Sequence, residues 1–185
     1  MCLALLMLTA SPALAAKFYV VVRGVEDAEG VKSGIKDEAL RVFTEELGRH
    51  PELTLTPPPG LPPADNPDAL KAALKAKNIK ALELTLRILA VTQAVNPPPA
   101  GKQFRVLVRG IKLSVFGDSL PDKVLAIGGD GESQVGAEIG ANANVEKEGK
   151  PLLVDATKEA VKQAVDMTVA KLKVGDKKQT LKKHK

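Results

Sequence analysis

Few residues in this chain offer chemistry, and the first to weigh is Gly128-Gly129-Asp130-Gly131, placed after an apolar run where a phosphate-cradling loop would sit. It lacks the G-x-G-x-x-G spacing and the downstream Lys-Ser/Thr of a P-loop, and Glu132 to Gly140 does not read as a helix whose amino terminus could hold phosphate. Glycines chosen for positive φ or for close backbone approach explain the run. Glu26-Asp27-Ala28-Glu29 and the set Asp118, Asp122, Asp130 and Glu132 carry oxygen ligands for a hard cation, but neither has the spacing of a calcium loop. Solvated carboxylates are the expected reading, and no metal is predicted. His50 precedes Pro51 at a helix end, where its side chain would meet the last carbonyls of that helix, and His184 lies in a basic tail. Ser33, Ser114, Ser119 and Ser133 form no G-x-S-x-G elbow. A glycosidase-like carboxylate pair converges only in three dimensions, and the shortage of aromatic platforms argues against one. The sequence therefore predicts no catalytic residue, no cofactor and no enzyme.

The elements that must hold these groups follow from apolar periodicity. Phe18 to Val22 is a short β-branched run read as a buried strand, with an acidic loop from Gly24 to Gly30 after it. From Ser33 to Gly48, Ile35, Ala39, Val42, Phe43 and Leu47 recur at helical spacing. Leu53 to Thr56 is a brief extended segment, stopped by the proline block at 57–63. Asn66-Pro67-Asp68 is a capped helix start, with Leu70, Ala73 and Leu74 as its stripe. Ile79 to Ala94 alternates, with Leu82, Leu84, Leu86 and Ile88 on one face. After the second proline block at 97–99, Phe104 to Phe116 alternates too, but its apolar residues pass from even to odd positions at Arg109-Gly110, which predicts a β-bulge there. These two strands form an expected hairpin. Val124 begins a further strand running toward Ile139, and Asp155 is the expected cap of a last helix ending before Gly175. The order is β-α-β-α-β-β-β-α. It predicts an α+β two-layer sandwich, a mixed, mostly antiparallel sheet of about five strands packed by three helices.

Composition narrows function further. The chain has 185 residues with four Phe, one Tyr and no Trp, which disfavours aromatic-rich sugar or single-strand nucleic-acid platforms. The net charge of +5 is concentrated at one end: residues 171–185 carry seven Lys and one Asp, so the rest of the chain sums to −1. No specific nucleic-acid partner is expected. Residues 175–185 read as a disordered Lys-rich tail, and Lys177, Lys178, Lys182, Lys183 and Lys185 are the candidate contacts to an anionic polymer or membrane surface.

Residues 1–16 read as a signal peptide. An apolar run from Leu3 to Leu8, a Ser11-Pro12 break and Ala13-Leu14-Ala15 give the small-x-small cleavage pattern, with a mature start near Ala16 or Lys17. That makes residues 17–174 a single domain, exported to the periplasm or beyond, with no transmembrane span. Cys2, the only cysteine, would leave with the signal, so no lipid anchor, disulfide or thiol chemistry is expected from it.

Phe18 to Val22 opening the sheet, Ala39 to Leu47 before Glu52 to Thr56, and Leu125-Ala126-Ile127-Gly128-Gly129 leading to the segment from Asp155 to Val161 together resemble a group of envelope α/β domains of the TolB amino-terminal, LpoB and CsgG type. The resemblance implies an exported, non-catalytic binding or assembly module whose partner is another envelope protein. It carries over no site residue. The alternative is a binder of anionic polymer or membrane surface acting through the basic tail.

Overall fold

The computed structural model describes residues 18–62, 66–98, 100–101 and 103–183, without the side chains of residues 126 and 176–183. The expected signal peptide lies outside the described residues, as do His184 and Lys185. Eight elements follow in the predicted order: β1 (Phe18–Asp27), α1 (Lys36–Gly48), β2 (Leu53–Thr54), α2 (Pro67–Ala76), β3 (Lys80–Asn96), β4 (Phe104–Leu120), β5 (Val124–Gly140) and α3 (Val145–Lys183). They build the α+β fold read from the sequence, a five-stranded mixed sheet of order β2-β1-β3-β4-β5 packed by three helices. β1 runs parallel to β2 and β3, while β3, β4 and β5 form an antiparallel meander.

Side-chain alternation divides the sheet into two faces. On one, Val20, Leu82, Leu84, Leu86, Ile88, Ile111, Leu113 and Val115 meet Ala39, Val42, Phe43 and Leu47 of α1 and the Ala/Val stripe of α3 in a single core. On the reverse face a smaller cluster joins Leu70 and Leu74 of α2 to Ala81, Tyr19, Ile79 and Leu120. α2 thus covers only one end of that face. The remainder carries ion pairs and one cation–ring contact, with Arg87 at 3.0 Å from Glu26 and its guanidinium 5.1 Å from the Phe116 ring centre.

Several local expectations are corrected. The bulge is not at Arg109-Gly110: Gly110 pairs regularly with Thr92 and Gln134. It lies in the partner strand, where Leu89 is the extra residue between the pairs Ile88–Leu113 and Ala90–Lys112. Leu89 turns the apolar face of β3 from even to odd residues, so Val91 reaches the same core as Ile88. In β4 the odd residues Leu107, Ile111, Leu113 and Val115 are buried along its length, and Phe104, Val106 and Val108 lie half-buried on the reverse face. β1 does not stop at Val22; a bulge at Arg23 carries it on through the acidic segment to Asp27. α3 begins at Val145 instead of Asp155, because the Asn144 side chain accepts from Lys147 N at 3.0 Å and starts the helix ahead of Pro151. Asp155 pairs with Lys158 on the outer face. The backbone also stays helical through Gly175 to Lys183, beyond the expected end.

Candidate functional site

The sequence-predicted chemistry is dispersed by the fold. Gly129 and Gly131 lie in β5 facing α3, where a Cβ on either would enter the van der Waals shell of a helix carbonyl, that of Ala164 or Ala160. Close approach, not phosphate binding, is what the glycine run provides. The acidic set is spread out: Asp122 meets Lys71, Asp130 accepts from the Ser114 hydroxyl, and Glu132 is 3.7 Å from Lys112. No grouping with the geometry of a metal site occurs among the described residues. Asp27 accepts from the Ser33 hydroxyl at 2.7 Å and pairs with Lys36 at 3.3 Å. Partial burial pulls its carboxyl up, but those two partners outweigh it and leave it below its usual range. His50 departs from expectation, since its Nε2 faces Asp166 of α3 at 3.4 Å and α1 is closed by backbone bonds from Arg49 and His50. Lys177, Lys178, Lys182 and Lys183 lie on the helical backbone of α3, with side chains outside the described residues.

α3 also holds the sheet edge. Gln163, Met167 and Lys171, each one turn apart, reach the outward-facing backbone of β5: Gln163 Oε1 accepts from Glu132 N at 3.3 Å, Met167 Sδ from Asp130 N at 3.5 Å, and Lys171 donates to Gly128 O at 2.6 Å. These are groups that a further strand would otherwise use.

Two of the grooves among the described residues bear on the site. At the end where α1 and α3 begin, a groove of about 870 Å³ is lined by Asp37, Glu38 and Glu146 against Arg109, Lys147 and Lys150, so its charges balance. Glu38 is already engaged by Arg41, whose guanidinium holds its carboxyl below the usual range.

The second groove, of about 410 Å³, lies at the other end, where β1 and β3 begin and β4 ends. Its geometry starts with how α2 stops. Asn78 takes a left-handed φ of 52°, with Asn78 N bonded to Lys75 O and Ile79 N to Leu74 O, the paired bonds of a Schellman ending. That ending folds Ile79 back on Leu74 and starts β3 at the groove. Leu74, Ile79, Ala81, Leu82, Leu120 and Leu172 give the walls an apolar surface drawn from both faces of the sheet. Among the described residues four lysines line it, Lys71, Lys75, Lys80 and Lys171, against one carboxylate, Asp122. Lys71 is held by Asp122 at 2.9 Å, Lys171 by Gly128 O, and the Lys80 ammonium stands 5.9 Å from the Phe18 ring centre. Lys75 makes no ion pair among the described residues. Beyond Asp122 the turn leads to Val124 and Leu125, which are 62% and 66% exposed, and Val174 on the same end of α3 is 53% exposed.

The sequence reading missed this groove because its residues come from six elements that meet only in the fold. Asn78-Ile79 after a helix, and Val124-Leu125 directly after a Pro-Asp turn, were the local signals that could have pointed there.

No protein-family model matches the chain, and no curated protein matches it in sequence. Solved structures similar to it include a provisionally assigned neuraminyllactose-binding hemagglutinin homologue from Helicobacter pylori, 11% identical, covering 78% of this chain and 79% of that one at a TM-score of 0.47. A provisionally assigned lipoprotein from Caulobacter crescentus is 9% identical over 88% of this chain and 93% of that one, at 0.42. Rare lipoprotein B from Shewanella oneidensis is 10% identical over 86% and 98%, at 0.37. Similarity this loose assigns neither family nor activity. Among the described residues no helix is long and apolar enough to cross a membrane.

Proposed function

We propose that this chain is an exported, non-catalytic binding or assembly module of the bacterial cell envelope, and that it meets its partner with the loop surface where β4 turns into β5 beside the far part of α3. The carrying observation is the exposure of Val124 and Leu125 where β5 starts after that turn, with Val174 at the same end of α3. Large aliphatic side chains set together outside a core favour association with another surface. The strap of Gln163, Met167 and Lys171 over β5 favours this loop surface over the adjoining sheet edge as the contact.

The test is capture from native envelope by the mature protein and by a Val124→Glu/Leu125→Glu variant, with retained species identified by mass spectrometry. One envelope protein held by the wild type and lost from the variant, with unchanged circular dichroism, is the expected result. Equal retention by both removes the loop surface from the reading. The second reading, docking on an anionic surface through Lys177, Lys178, Lys182, Lys183 and Lys185, gains support from the continuation of α3 as helix to Lys183, which holds the lysine-rich segment on one axis. A chain ending at Val174 should then lose a salt-sensitive attachment to anionic vesicles.

A further inference from the structure

We infer that the groove between the end of α2 and α3 is a binding site for an anionic single-chain amphiphile, with the alkyl chain lying on Leu74, Ile79, Leu120 and Leu172 and the acidic head meeting the lysine rim at Lys75. The inference deepens the binding-module reading and rests on it only for the class of protein, since the groove is a separate feature from the exposed turn.

Three observations carry it. The volume of about 410 Å³ lies within the range of small-ligand sites, which run from roughly 300 to 1,000 Å³ and are mostly apolar with a few placed polar groups. Among the described residues the charge around the walls is one-sided, four ammonium groups to one carboxylate, which fits an acidic head and disfavours a cationic or neutral one. Three of those ammonium groups are already held by the fold, Lys71 by Asp122, Lys171 by Gly128 O and Lys80 near the Phe18 ring. Lys75, on the last turn of α2 and without an ion pair among the described residues, is the one positioned to accept a new anion. The balanced charges of the larger groove at the opposite end give it no such preference.

The probes are straight-chain carboxylates from octanoate to dodecanoate below their micellar concentrations, with dodecyl maltoside as the uncharged chain and acetate as the chainless anion. Binding is read by calorimetry and by methyl chemical shifts of the full-length mature protein. Affinity should rise about fourfold for each added methylene until the groove is filled, the factor that burial of one methylene supplies. Acetate and dodecyl maltoside should bind at least tenfold more weakly than dodecanoate, and the shifts should centre on Leu74, Ile79, Leu120 and Leu172. Lys75→Glu on the exposed face of α2 should weaken dodecanoate tenfold or more, while Lys150→Glu in the other groove should leave it unchanged.

No chain-length dependence, equal binding of dodecyl maltoside, or shifts that map elsewhere overturns the site. An unchanged affinity for Lys75→Glu overturns the head-group assignment. Wild-type protein that captures its envelope partner yet binds no dodecanoate sinks this inference alone, whereas dodecanoate binding with no partner capture sinks the docking reading alone.

Discussion

Gly129 and Gly131 show how one hydrogen in place of a methyl group sets the distance between a strand and a helix. The α3 face opposite them is built from Ala160 and Ala164, so both sides of the contact have been reduced to let backbones approach. Gly131→Ala should cost about 1–3 kcal/mol, the usual penalty of overpacking, because the group in its way is a main-chain carbonyl that moves only with the helix. Gly136→Ala, whose added carbon would find its nearest neighbour at 3.5 Å, should be close to neutral, and urea midpoints of the two variants check the contrast. A second residue-scale prediction concerns Glu52. The Lys173 ammonium, hydrogen-bonded to it, holds its carboxyl below the ordinary value of 4.5, despite an opposing contribution from burial. A carboxyl depressed by folding stabilises fully above its unfolded value, and that contribution fades as pH falls through the folded one. Wild-type stability should therefore drop between pH 7 and about 3.5, and Lys173→Met should show a smaller drop from a lower starting value. Parallel urea titrations at the two pH values decide it, and equal drops would remove the pair as a source of acid sensitivity.

At the scale of elements, alternation and helical spacing made the order of strands and helices legible but not the bounds of β1 and α3, because a buried face leaves its period in one sequence. Asn66 capping Ala69 N was readable for the same reason: capping is local. The phase change between Arg109 and Gly110 shows where such reading runs out. Apolar residues on even positions of β4 cover the reverse face there, and the shift of face belongs to Leu89 on the neighbouring strand, hidden inside the unbroken apolar run from Ile88 to Val91. Register lives between two strands, so no single strand displays it. The candidate groove was illegible on the same ground, its walls being assembled from β1, α2, β3, β4, β5 and α3. The strap on β5 yields the element-scale prediction. Gln163→Ala and Met167→Ala together should speed amide exchange at Glu132 and Asp130 while leaving exchange at Leu113 and Val115 unaltered, since only the edge amides lose their acceptors. Uniform acceleration throughout the sheet would instead mean that the strap supports global stability.

For the molecule as a whole, Leu172 is the last buried residue of α3 among the described side chains, and the backbone continues as helix through a lysine-rich segment. A chain ending at Val174 should accordingly unfold at the same temperature as the full protein in a thermal scan. Any large loss would show that the far part of the helix packs on the domain. The same arrangement gathers the apolar turn, the lysine-rimmed groove and the start of the basic segment at one end of the sheet, with the balanced groove at the other.

The order of β5 before α3 has a consequence for biogenesis. Strand β5 is complete at Gly140, but the side chains that occupy its edge amides and carbonyl come from Gln163, Met167 and Lys171. Until the ribosome has released that helix, a 17-residue strand stands with its hydrogen-bonding edge open and its inner face uncovered. The newborn chain is thus at its stickiest in the interval between β5 and α3, and a holdase that let go at residue 145 would release a template for strand pairing, while one that waited for Leu172 would release a closed domain.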